Sequence, residues 1–79
     1  MTPFSSLAGG EAKELRSPLA QAMIDARLNA GYTQDEMAHL MFTSRSTIVR
    51  MESGRDPVTV STLEKWAEVT GKKLAIRFV

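Results

Sequence analysis

Seventy-nine residues are the extent of one small domain and exclude a two-domain enzyme. The absence of cysteine removes disulfides and thiolate zinc sites as sources of stability, while 43% hydrophobic and 24% charged content is that of a folded domain rather than a disordered one. Ten Lys and Arg against nine Asp and Glu leave a net charge of +1, so bulk charge announces neither nucleic-acid nor membrane binding, and any such function has to lie in how the charges are distributed.

Residues 1–16, MTPFSSLAGGEAKELR, carry Pro3, two serines and Gly9-Gly10, which is punctuation rather than periodicity and predicts a flexible arm. The charge-free run Met1 to Gly10 lacks a basic flank and is too short and polar for a signal sequence or a spanning helix, so a soluble cytoplasmic protein is expected, with no membrane partner. Ser17 suits an N-cap, Pro18 the first helical position and Gly31 the stop, predicting a first helix over about 18–30. Leu19, Ala22, Met23, Ala26 and Ala30 fall at helical spacing and are expected to form its inward stripe.

Thr33 to Glu36 has the form of a capping box and opens a second helix over about 34–41. Phe42 and Thr43 separate it from Ser44, which can cap a third helix over 45–53 that Gly54 ends. After the loop Arg55-Asp56-Pro57, Thr59 can cap a fourth helix over about 60–70, stopped by Gly71, with Val60, Leu63, Ala67 and Thr70 inward and Trp66 beside them. The tail alternates, with Leu74, Ile76 and Phe78 on one face at period two, and predicts a single strand within 72–79.

The third helix carries the chemistry. On a wheel of about 100° per residue, Ser44, Ile48 and Met51 share one side, with Thr47 and Glu52 at its margins, while Arg45, Ser46, Val49, Arg50 and Ser53 take the opposite arc. Two arginines, two hydroxyls and a small branched apolar group are what a major groove requires: a guanidinium fork for guanine, hydroxyls for base or phosphate, and methyls for thymine. A solvated polar face is the alternative reading of the same arc.

The spacing around that helix resembles the Xre/Cro-type helix-turn-helix family over residues 18–71. The resemblance rests on Gly31-Tyr32-Thr33-Gln34, Glu36-Met37-Ala38, Ser44 with Thr47-Ile48, Arg50-Met51-Glu52-Ser53-Gly54, and Pro57 followed by Leu63 and Ala67. It implies a mainly α, four-helix, lambda-repressor-like domain over 17–71 that binds operator DNA. Arg45, Ser46, Val49 and Arg50 would face bases, and Gln34, Thr43, Ser44, Thr47 and Arg55 would position the backbone. Arg27 and Glu52 look like the family's internal ion pair. The family usually has glycine in the turn where this chain has Phe42, so the turn is either strained or differently shaped, and partial burial of the ring is expected to offset the strain.

The remaining candidates read as structural. His39 is the sole histidine, so no multi-histidine metal site can form, and no serine has an evident base beside it; neither a cofactor nor enzymatic activity is expected. Trp66 reads as core or interface filling. An isolated strand is unstable, so residues 72–79 need another strand, either the arm around Thr2 to Leu7 or the same strand of a second molecule; the second is expected, pairing across a homodimer through Leu74, Ile76 and Phe78. A helix-turn-helix domain followed by one terminal strand is similar to the HipB and HigA type of antitoxin, which implies an autorepressor with a cognate toxin as a further partner. Phe4 and Leu7 in the arm are candidate toxin anchors. A stand-alone phage-like or metabolic repressor, and a protein-binding adaptor that uses the fold without DNA, are the competing expectations.

Overall fold

A computed structural model describes residues 17–79, and the arm with Phe4 and Leu7 lies outside that range. Four helices follow in order: α1 (Pro18–Ala30), α2 (Gln34–Leu40), α3 (Arg45–Ser53) and α4 (Val60–Thr70). Each begins on a hydroxyl cap, Ser17, Thr33, Ser44 and Thr59, whose side chain accepts a backbone N–H three residues on. At α2 the capping box is complete: Glu36 N–H donates to Thr33 Oγ1 at 3.0 Å and Thr33 N–H to Glu36 Oε1 at 2.8 Å. Such reciprocal caps matter most for α2, whose seven residues are too few to hold a helix by propensity alone.

Three helices stop on a left-handed glycine. The second stops on Phe42, at φ 57°. Phe42 N–H donates to the His39 carbonyl at 3.2 Å and Thr43 N–H to the Ala38 carbonyl at 2.9 Å. The glycine stops of α1 and α4 carry the same pair of bonds, so Phe42 occupies a glycine's place in a Schellman ending. Of the two shapes the sequence leaves open for the turn, the strained one is formed. The expected burial is not: the ring is 87% exposed, touched by the Lys65 ammonium 5.7 Å from its centroid. A residue in this turn lies outside the crossing of α2 on α3, so nothing covers it.

The core lies where α1 crosses α3 and α4 and where α2 packs on α3. Met23, Met37, Ala38, Ile48, Leu63 and Trp66 are buried together, with Ala26, Tyr32, Met41, Met51, Val58 and Val69 packed around them. Trp66 fills this core as expected, and its indole Nε1 donates to the Met23 carbonyl at 3.0 Å, so burial leaves no orphan donor. The stripe of α1 is rotated from the expected one: Ala20, Met23 and Arg27 face inward, while Leu19 and Ala22 are exposed. A cation takes the place of an apolar residue because its partner waits inside. Val60 is likewise exposed at the first turn of α4, and Val58, just before the helix, packs on the core instead.

The strand predicted within 72–79 is absent among the described residues, and Leu74, Ile76 and Phe78 are exposed. A strand exists only by pairing, and no second extended partner is described within the chain. No described helix is long and apolar enough to cross a membrane.

Candidate nucleic-acid interface

Helix α3 is held from beneath and left open above. Ile48 and Glu52 are its buried residues, and Met51 is half-buried beside them. Glu52 sits 3% exposed and receives Arg27 of α1 through both oxygens: Nε to Oε2 at 2.7 Å and Nη2 to Oε1 at 3.1 Å. Arg27 Nη1 also donates to the Tyr32 carbonyl at 2.9 Å, tying the α1–α2 turn to the same pair. Two charges removed from water are tolerable only when their hydrogen bonds are met, and here the fork and the carboxylate match edge to edge. The expected internal ion pair is therefore present, with Tyr32 as an additional anchor that side-chain chemistry could not disclose.

At its C-terminus α3 meets the start of α1 through a residue that brings no side chain of its own. Gly54 has φ +78°, and a Cβ there would lie 3.2 Å from Ser17 Oγ and 3.4 Å from the Ala20 Cβ. Glycine is thus favoured twice, by conformation and by a tight approach that a methyl would have to push aside.

The outer arc matches the wheel. Arg45, Ser46, Val49 and Arg50 are all exposed on one side of α3, while Thr43 and Thr47 are half-buried and Arg55 is exposed in the following loop. Ser44 is spent locally, since its hydroxyl caps Thr47 N–H at 3.3 Å and lies 3.0 Å from both Ser46 Oγ and Thr47 Oγ1. Gln34 is more engaged than an outward backbone contact would be. Its amide nitrogen donates to Glu52 Oε1 at 3.1 Å, and its oxygen accepts from Arg45 Nη2 at 3.2 Å. A chain of hydrogen bonds therefore runs from the buried Arg27–Glu52 pair through Gln34 to the first arginine of the exposed arc.

Two acids complete the site and were not among the expected residues. Asp35 Oδ1 lies 3.5 Å from Arg45 Nε, and Asp56 Oδ2 accepts from Arg50 Nε at 2.9 Å. Asp35 could have been suspected, because it neighbours Gln34 at the start of α2. Asp56 could not, since it reaches Arg50 from a loop, where no periodicity relates positions six apart.

Two short packed helices, the second with an exposed polar face and a buried ion pair behind it, are the geometry of a helix pair that inserts into a groove. Residues 23–76 match the helix-turn-helix family. The chain belongs to that Xre/Cro-like helix-turn-helix family. No curated protein matches it. The matched span takes in all of α2, α3 and α4. Membership makes the chain a DNA-binding transcription regulator.

Proposed function

We propose that this helix-turn-helix protein is a sequence-specific repressor that occupies operator DNA as a homodimer. The observation that carries the reading is the division of α3 and its stop: Ile48 and Glu52 are buried and Gly54 abuts α1, while Arg45, Ser46, Val49 and Arg50 are exposed with partners only at the surface. These four side chains face bases in the major groove. Thr43, Thr47 and Arg55 lie at the two ends of α3, where they reach phosphates, together with the N–H groups that open α2 and α4. Repression follows from occupancy alone, without a catalytic step or a cofactor, in the cytoplasm where the promoter is.

Dimerisation is supported by an apolar groove between α1 and α4. Leu19, Ala22, Ala26, Trp66 and Ala67 line it, and Leu74 of the same chain reaches its edge. Leu19 and Ala22, out of place in a monomer core, make sense as the floor for Leu74, Ile76 and Phe78 of a second copy, whose tail pairs with the first. The two recognition helices would then read two half-sites. A small regulator of this build fits the antitoxin and autorepressor of a type II toxin-antitoxin operon, with the cognate toxin as its second partner.

Titration of the full chain against a duplex selected from a random library, and against a scrambled one, tests DNA reading. Arg45→Ala and Arg50→Ala should each cost about 1–3 kcal/mol on the selected duplex, whereas Arg55→Ala should weaken both duplexes alike. Binding that ignores salt would point to the adaptor reading, because phosphate contacts release counterions. Co-purification with the product of a neighbouring gene separates antitoxin from stand-alone repressor.

A further inference from the structure

We propose that Asp56 is a positioning residue for base recognition, holding the Arg50 guanidinium by one edge so that its free end is presented as a fork to guanine. The inference rests on the reading of α3 as the recognition helix. Arginine is a long, flexible side chain, and a bidentate contact with guanine O6 and N7 needs two of its five N–H groups in a fixed plane. An unrestrained arginine must lose its rotamer freedom on binding, and that loss weakens the contact. Asp56 takes only Nε, at 2.9 Å; neither Nη group of Arg50 has a partner among the described residues. The carboxylate therefore orients the plane without consuming the end that reads.

The buttress is itself restrained. Asp56 precedes Pro57, whose ring limits the backbone of the residue before it to extended forms. The charges bear on selectivity as well. A guanidinium neutralised by a carboxylate gains less from a phosphate, a full opposite charge, and its hydrogen bonds to a neutral base edge are weakened less. Asp56 thus favours the base over the backbone. Arg55, next in the chain, has no side-chain partner among the described residues and remains a full charge for phosphate. In water the Arg50–Asp56 pair is weak, its side chains being 68% and 48% exposed, but a groove that excludes water lowers the local dielectric and strengthens it.

The test uses the full chain and a duplex selected from a random library. Each G·C pair is replaced in turn, and the pair whose replacement no longer matters in Arg50→Ala is the one Arg50 reads. Asp56→Asn, folded by circular dichroism, should reduce discrimination at that pair by about two- to fivefold, the size of an exposed ion pair's contribution. Loss of one negative charge raises affinity for every duplex together, so the ratio between duplexes is unaffected by it. In the Arg50→Ala background the same substitution should leave discrimination at that pair unchanged. Undiminished discrimination in Asp56→Asn, or tighter binding of the selected duplex with discrimination intact, would overturn the proposal and make Asp56 a bystander or a competitor. If wild-type protein prefers no duplex, or Arg50→Ala alters the cost at no pair, base reading by α3 fails and the buttress fails with it.

Discussion

At the scale of single residues, Phe42 and Glu52 are opposite kinds of exception. Phe42 holds a left-handed backbone that glycine would hold without strain, and its ring is too exposed for packing to offset the cost. Phe42→Gly is therefore expected to stabilise the domain by about 1 kcal/mol, seen as a rise in melting temperature of about 4 °C or more. An unchanged or lower melting temperature would mean that the Lys65 contact outweighs the strain. Glu52 is a charge whose removal strands another. Glu52→Ala should cost about 3–5 kcal/mol by leaving Arg27 buried without its counterion, and the double variant Arg27→Met/Glu52→Leu should recover most of it, as read by denaturant titration. The sequence made both positions conspicuous through the family pattern. It could not decide whether the Phe42 ring was covered, because that depends on what lies above the turn, a matter of tertiary packing.

At the scale of elements, helix limits were legible and helix faces less so. Caps are local: Ser17, Thr33, Ser44 and Thr59 bond their own first turns, and Gly31, Gly54 and Gly71 end theirs, so all four helices begin and stop where the sequence places them to within a residue. Faces are not local. The α1 stripe turned toward Ala20 and Arg27 because a carboxylate on another helix and a glycine at its end decided which side fits. The same reason hid Asp56 from any periodicity. The close approach of α1 to α3 can be weighed against a glycine without neighbours. Gly54→Ala and Gly31→Ala both place a methyl at positive φ, but only the former meets other atoms within 4 Å. Chemical denaturation should show the Gly54 variant losing more stability than the Gly31 variant, which loses about 1 kcal/mol from the backbone alone. Equal losses would show that Ser17 and Ala20 yield freely.

At the scale of the whole molecule, a domain of this size buries too little surface to be stable by a wide margin, which is the physical motive for the proposed second copy. Residues 73–79 contribute no buried side chain to the single chain. Deleting them should therefore yield a monomer that keeps its helical circular dichroism, and sedimentation across a concentration series decides the matter. A truncated chain that still sediments as a dimer would place the interface elsewhere. The tail was legible as an apolar alternation, yet its pairing was not, since a strand's partner is not written in the strand.

The contact at Gly54 has a bearing on how such a protein can change. Because α3 meets the start of α1 at a residue with no side chain, and is pinned beneath by Ile48 and the Arg27–Glu52 pair, its angle to the body is set by buried positions, while 45, 46, 49 and 50 bond only at the surface. The pose of α3 and the make-up of its exposed arc are separable. If those four residues read bases as proposed, a lineage can rewrite them and so move to a new operator, or escape cross-talk with a duplicate of itself, without first solving the folding problem again.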